Sequence, residues 1–282
     1  MSEALGRPVH IERARPVGGG CINRAARLDT SAGRYFLKHH PSRDGRFGVE
    51  ARQLEALAGA ASGLRVPRPV AHRDDPGPGL PAFLVMEHVD GGAREAGFDE
   101  ALGRGLAELH RATAPRFGFD VDTFCGSTRQ PNTWCASWVA FYRDQRLGVL
   151  LIALREGGQL SRTDARRFEA LLERLPELLP DDVPPALVHG DLWSGNLMVD
   201  GGRPALVDPA AYYGCREVEL GMMTLFGGFS DRVYAAYEEA WPLDPGWRER
   251  LPLYRLWHVA NHALLFGGGY VQDTLRILAR FA

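Results

Sequence analysis

The sequence predicts an α+β fold in two lobes, and three observations lead there. Short apolar segments separated by turn residues run to about residue 88, helical periodicity covers most of the remainder, and a polar string at 189–208 lies between apolar runs. The 282 residues suffice for two packed lobes. The 45% hydrophobic and 24% charged content is that of a globular protein. A formal net charge of −2 sets up no global field toward nucleic acid or an anionic membrane. No apolar run approaches the ~20 residues needed to span a bilayer. Met1–His10 is mixed polar and charged and lacks the apolar stretch of a secretory leader, so a cytoplasmic location is expected. None of the four cysteines, Cys21, Cys125, Cys135 and Cys215, forms a Cys-x-x-Cys pair or a zinc-type spacing with histidine, so free thiols are expected.

In the first lobe, assigned to residues 1–88, Val9–Arg15 reads as extended. Asn23–Asp29 and Arg34–Lys38 read as a hairpin turned by Ser31-Ala32-Gly33. Phe47, Leu54, Leu57 and Ala58 give Phe47–Ala58 a helical period. Ala82–Glu87 is an apolar strand. A linker near Glu87–Gly92 leads into the second lobe, residues 89–282. There helices are predicted over Phe98–Arg111, Trp134–Gly148 and Asp164–Leu179, the last with Asp164 in its favourable first turn. Trp134, Trp138, Phe141 and Tyr142 read as a core stripe, and Gly148–Leu154 as a short core segment. Leu187-Val188 and Leu197–Val199 are read as the two arms of a hairpin that anchors the loop between them.

That loop carries the chemistry. His189-Gly190-Asp191 is followed by Asn196 five residues after the aspartate, and Ala205-Leu206-Val207 then leads into Asp208. A His-x-Asp with this Asn and a later strand-borne Asp is the arrangement of a kinase catalytic loop and its metal-binding aspartate. Asp191 is placed as the catalytic residue that orients an attacking hydroxyl and takes its proton. With an ordinary carboxylate pKa well below 7, it is expected to act mainly by positioning. Asn196 and Asp208 supply neutral and anionic oxygens suited to Mg²⁺, which needs few protein ligands when nucleotide phosphates complete its shell. His189 is expected to fix the loop by hydrogen bonding.

Upstream, Tyr35-Phe36-Leu37-Lys38 is an apolar strand ending in a lysine suited to the α- and β-phosphates of ATP. Glu50 on the following helix is its expected partner, with Glu55 the competitor one turn along. Gly18-Gly19-Gly20 lies between the first two strands, where glycine lets backbone N–H groups approach phosphate. The backbone of Met86-Glu87-His88, where the small lobe ends, is the place to read an adenine edge.

These segments resemble the fructosamine kinase (ketosamine 3-kinase) family, relatives of the aminoglycoside phosphotransferases. The likeness runs along most of the chain through Gly19–Asn23, Phe117-Gly118-Phe119, Gln130-Pro131-Asn132, His189–Asn196, Asp208–Gly214 and Arg216–Leu220. It implies a bilobal protein-kinase-like fold and ATP- and Mg²⁺-dependent phosphorylation of the sugar 3-hydroxyl of ribulosamines or fructosamines, as small molecules or on glycated protein amines. Such 3-phosphates break down and free the amine, which links the family to deglycation. By the same matching, Asp191 is the base, Asn196 and Asp208 hold the metal, and Lys38 and Glu50 anchor phosphate. This chain departs from the pattern at Cys21, Cys215 and Glu219, where Asp, His and Asp are common.

A ketosamine bears hydroxyls and a cationic amine, so its site calls for aromatic faces and carboxylates. Trp193, Tyr213, Glu217 and Asn132 are assigned to the acceptor, Asn132 as lid or rim. His258, Asn261 and His262 share one helix face, and His258 and His262 are added to that set. Glu219 is read as a structural acceptor for catalytic-loop amides. Cys21, within the Gly-rich turn, is the redox candidate; oxidation there blocks ATP or links two otherwise monomeric chains. Two other readings stand beside the ketosamine kinase: an aminoglycoside- or choline-type kinase, and an inactive nucleotide-binding module. A protein kinase is disfavoured because no Ala-Pro-Glu follows Asp208.

Overall fold

The computed structural model describes residues 1–18, 24–41, 46–77 and 80–281. The strand-rich part is a five-stranded antiparallel sheet in the order β1-β2-β3-β5-β4. Its strands are β1 (Ile11–Val17), β2 (Arg24–Thr30), β3 (Gly33–His40), β4 (Pro69–Arg73) and β5 (Ala82–Glu87), with helix α1 (Phe47–Gly59) crossing between β3 and β4. The register β2–β3–β5 sets Ala25, Lys38 and Leu84 abreast, so Lys38 stands on a central strand. Helix α1 begins behind Arg46, and Asp74 accepts from the Gly48 amide at 2.9 Å, supplying the cap that the helix's own side chains do not.

The helical part begins with α2 (Phe98–His110). A small hairpin, β6 (Thr123–Cys125) and β7 (Thr128–Gln130), comes before α3 (Trp138–Tyr142), a π-helical turn over Arg143–Leu147, and α4 (Gly148–Glu156). The helix expected from Trp134 therefore starts four residues later and runs on to Glu156. Trp134–Ala136 is spent otherwise, with Cys135 exchanging both backbone hydrogen bonds with Phe117. Ser137 caps the true start by accepting from Ala140 N, and Asp181 accepts from Val139 N. Next comes α5 (Arg162–Leu178), capped by Ser161. After the loop region stand α6 (Glu217–Met223), α7 (Asp231–Ala240), α8 (Trp247–Phe266) and α9 (Gly269–Phe281). Among the described residues no helix is long and apolar enough to cross a membrane.

The hairpin expected around the catalytic loop does not form. Leu187-Val188 belongs to β8 (Ala186–Val188), which pairs with β11 (Tyr212–Gly214), whereas β9 (Leu197–Asp200) pairs with β10 (Arg203–Leu206). The loop is thus slung between two small sheets, one closed by β10 just before Asp208 and the other by β11 just after it. Their apolar runs look alike in sequence, and only the turn at Gly201-Gly202 makes a local pairing.

One apolar core joins α1 (Phe47, Leu54, Leu57) to the helices of the second part, while Leu28, Tyr35 and Val85 form a small cluster on the other face of the sheet. Trp138, Phe141 and Tyr142 lie in the main core as the stripe predicts. Trp134, in contrast, is 40% exposed and packs on Tyr213.

The π-turn carries Arg146 into the interior. Its guanidinium donates to the carbonyls of Pro131 and Gln145 and to Asn132 Oδ1 (2.6 Å), and lies over the Tyr212 and Phe141 rings. Asn132 is therefore a buried junction and not a lid or rim. Its Nδ2 donates to Val121 O and Thr123 Oγ1, and its N–H donates to Asp122. Removing it strands a buried charge and two acceptors, so Asn132→Ala should lose about 2–4 kcal/mol of stability in urea unfolding. An unchanged midpoint would show that the junction is idle.

Candidate active site

Lys38 Nζ lies 2.5 Å from Glu50 Oε1 and 2.6 Å from Asp208 Oδ1. Glu50 occupies the first turn of α1, and Glu55 plays no part in this pair. Burial alone would strip the Lys38 proton, but the two carboxylates overcome it and hold the ammonium above its usual range. The same burial pushes the Glu50 carboxyl up against the pull of Lys38.

The catalytic loop is held from below by Glu219, which is completely buried in the first turn of α6. Its carboxylate accepts from the backbone amides of His189 (2.5 Å), Gly190 (3.2 Å) and Leu192 (3.3 Å), so the residue read as a structural acceptor takes that place. Burial would raise its pKa; His110, His189 and the Gly190 amide reverse that and keep it below the usual range. His189 completes the frame. Its Nε2 donates to Val207 O at 2.9 Å, and Ala210 N donates to His189 O. Gly190 has φ +80°, and a Cβ there would stand 2.2 Å from Ala210 O; only glycine lets the two loops approach so closely.

Within this frame Asn196 Nδ2 donates to Asp191 O (2.8 Å), Asp191 Oδ2 (3.3 Å) and Asp208 O (3.4 Å). With the nitrogen so engaged, the amide oxygen is the atom left to face a cation. Asp208 is held at φ +57°, a conformation that costs a non-glycine residue roughly 1 kcal/mol or more and is tolerated where the surroundings impose it. The oxygens of Asn196 and Asp208 make a hard donor set beside the Lys38 ammonium, a set whose chemistry fits Mg²⁺.

Asp191 departs from the expected ordinary carboxylate. Burial first, then the negative charges of Glu219 and Asp208, push its pKa up to about 8, opposed by the Asn196 hydrogen bond. Proton affinity is thereby built into the carboxyl that the sequence reading casts as proton acceptor, and a cation at Asn196 and Asp208 would draw the value down again.

On the acceptor side, Trp193 is 39% exposed, and its ring packs over Gly195, where a Cβ would lie 2.2 Å from it. It makes an edge contact with Phe226, which meets His262, which in turn meets Phe266 and Tyr270. Phe226, Phe266 and Tyr270 were not singled out from sequence. Exposed aromatics beside Gly227-Gly228 and Gly267–Gly269 are the only signal that could have found them. His258 is buried with Nδ1 3.9 Å from Asp191 Oδ1. Tyr213 joins a second aromatic group with Phe119 and Trp134. Glu217 is withdrawn from the acceptor set because both its oxygens are taken by Arg250, at 2.8 and 2.6 Å, in a buried pair.

On the nucleotide side, the side chains of Glu87 and His88 brace the end of β5. Glu87 accepts from Arg65 and from Arg68 N, while His88 meets Asp90. Met86 is buried. A Cβ on Gly18 would meet nothing within 4 Å. Gly19, Gly20 and the redox candidate Cys21 lie outside the described residues; Cys125, Cys135 and Cys215 are free.

A lysine clamped by a helix glutamate, facing a loop aspartate and two oxygen ligands, defines a phosphotransferase of the protein-kinase-like class. The fructosamine kinase family model matches residues 1–282, and the chain belongs to that family. It is 40% identical to a probable ketoamine kinase of Synechocystis sp., covering 99% of this chain and 93% of that protein. It is 39% identical to the chloroplastic protein-ribulosamine 3-kinase of Arabidopsis thaliana, over 97% and 83% of the two. A candidate fructosamine-3-kinase from Thermobifida fusca superposes with a TM-score of 0.87 at 35% identity, covering 99% and 96% of the chains. An aminoglycoside phosphotransferase solved with AMP-PNP and hygromycin B shares the fold, at a TM-score of 0.64 and 17% identity, with 96% and 92% covered.

The elevated Asp191 carboxyl has a thermodynamic consequence. Between its ordinary value and about 8 the folded chain holds a proton that the unfolded chain has released, so stability falls as pH rises through that window. Asp191→Asn should therefore be more stable than the parent by about 1–3 kcal/mol at pH 7.5, and the gain should shrink toward pH 5. Denaturant unfolding at both values reads this directly; equal stabilities at pH 7.5 would show that the carboxyl bears no burial cost.

Proposed function

We propose that this protein transfers the γ-phosphoryl group of Mg-ATP to the 3-hydroxyl of a ketosamine, with ribulosamines and fructosamines as the acceptor class. The observation that carries the reading is the continuous set of contacts Glu50–Lys38–Asp208–Asn196–Asp191, which supports a joint role for these five side chains as phosphate-binding cation with its partner, oxygen ligands and proton acceptor. Family membership and the ketoamine and ribulosamine kinases among the relatives support the acceptor class.

In this reading Lys38 neutralises the α- and β-phosphates, and Glu50 keeps its Nζ in place. Asn196 and Asp208 would hold Mg²⁺, which when bound would supply charge neutralisation on the phosphates. Asp191 accepts a hydrogen bond from the acceptor hydroxyl and orients its oxygen in line with the γ-phosphorus. The new P–O bond forms as the bond to the ADP oxygen breaks, and the hydroxyl proton passes to Asp191. Glu219 does not touch the reactants; it holds the loop amides so that Asp191 and Asn196 keep their separation. Trp193, with Phe226 and His262 behind it, offers an aromatic face to the sugar and the cationic amine.

Coupled ADP release with Mg-ATP and a panel of ribulose-lysine, fructose-lysine, kanamycin and choline tests the reading. Turnover is expected on the ketosamines and should fall by about 10³-fold or more in Asp191→Asn. Turnover on kanamycin or choline alone would keep the catalytic residues and overturn the acceptor class, and silence on all four would favour an inactive nucleotide-binding module. Trp193→Ala should raise KM for ribulose-lysine by about five- to thirtyfold, the loss of one stacking contact, with KM for ATP little changed. An equal rise in both constants would place Trp193 outside the acceptor site.

A further inference from the structure

Cys125 closes β6, Asp191 heads the catalytic loop, and His258 lies within α8. These three distant segments bring one potential ligand atom each to within 4.8 Å of one another. His258 Nδ1 has no hydrogen-bond partner although its side chain is only 6% exposed, and it lies 3.9 Å from Asp191 Oδ1. Burial, then the nearby His262, holds the ring neutral, with its pKa down to about 3, so the nitrogen keeps its lone pair. On the same helix face, Asn261 Oδ1 is a second buried atom without a partner, while its Nδ2 donates to Cys125 O at 3.4 Å. An unpaired buried polar atom costs roughly 1–3 kcal/mol, and two such atoms around a thiol and a carboxylate mark a place suited to a ligand.

We propose that Cys125, Asp191 and His258 form an inhibitory binding site for a borderline-soft divalent transition metal, of which zinc is the type. One sulfur, one imidazole nitrogen and one carboxylate oxygen are zinc donors, and three protein ligands leave a fourth position for water. In a tetrahedral zinc site the ligand atoms stand about 3.3–3.8 Å apart, so closure asks for roughly 1 Å of side-chain movement. Mg²⁺ prefers oxygen, so the two metals sort between adjacent sites: magnesium at Asn196 and Asp208, zinc where sulfur and nitrogen are offered. Entry is through Asp191, whose side chain is 22% exposed and forms the mouth of the cluster. On binding, the Cys125 thiol releases its proton to solvent and the thiolate donates to the metal, and any proton on Asp191 leaves with it. Zinc then holds the oxygen that would receive the acceptor's proton, and turnover stops. The inhibitory consequence rests on the proposed role of Asp191; the metal site itself does not.

Metal binding and turnover are read separately. Cobalt(II) titrated into the full-length protein should give a thiolate-to-cobalt charge-transfer band that saturates at one equivalent. The band should be lost in Cys125→Ser and retained in Cys21→Ser and Cys135→Ser. In the ADP-release assay with ribulose-lysine and saturating Mg-ATP, buffered free zinc should inhibit the parent, and a chelator should restore activity. Cys125→Ser should need about tenfold more zinc or greater for the same inhibition. Cys125→Ala takes its place if the serine variant unfolds at the assay temperature. Absence of a thiolate band, or a band that survives loss of Cys125, would overturn the site. A band confined to Cys125 without loss of turnover would overturn its inhibitory role. The cobalt titration decides the site even if no acceptor on the panel is phosphorylated.

Discussion

A single buried carboxylate sets the geometry of the catalytic loop. Glu219 accepts from three loop amides, those of His189, Gly190 and Leu192, with its two oxygens. The cost of burying that charge is offset by the amides and by His110 and His189. Its influence reaches the surface of the cleft as well. Burial raises the proton affinity of Asp191 first, and the negative charge that organises the backbone adds to it, so one residue contributes to both positioning and basicity. A glutamate suits this role because its extra methylene lets the carboxylate reach from the first turn of α6 to amides that span His189 to Leu192.

The other half of the cleft is organised around an excess of negative charge. Asp191, Asp208, Glu50 and Glu219 crowd one region, and Lys38 is shared by two of them. Such a cluster is costly when alone and relieved by cations, an electrostatic condition that favours the binding of a metal there. The left-handed backbone at Asp208 belongs to the same economy, since local strain is sustained by the surrounding hydrogen bonds and serves to aim one oxygen.

The legible part of this protein is the part written in short strings. Lys38 ends an apolar strand, Glu50 opens the next helix, and Asp191, Asn196 and Asp208 keep spacings that one loop and one strand impose, so periodicity and spacing locate them. The missed features depend on partners remote in the chain. Glu217 looks like an acceptor-site carboxylate until Arg250 is seen closing on both its oxygens. Asn132 sits in a Gln-Pro-Asn turn that reads as a surface loop, yet a π-turn fourteen residues on drives Arg146 into it. The pairing of β8 with β11 rather than with the nearer β9 is likewise non-local, because two short apolar runs carry no mark of which partner they take. The proximity of Cys125, Asp191 and His258 has no sequence signature at all, because the three residues come from three separate segments.

The way α1 is packed bears on how the protein can be controlled. Phe47, Leu54 and Leu57 belong to the same apolar core as the helical part, and Gln53 Oε1 accepts from Ala211 N at 2.6 Å, just beyond Asp208. The helix that delivers Glu50 is thus riveted to the segment that delivers Asp208. In protein kinases the corresponding helix is a movable part whose swing makes or breaks the lysine–glutamate pair. Here that degree of freedom is consumed by the core, and displacing the helix would mean opening the hydrophobic interior. The Lys38–Glu50 pair is therefore tied through the core and through Gln53 to the segment that carries Asp208, so that moving one of them disturbs the other.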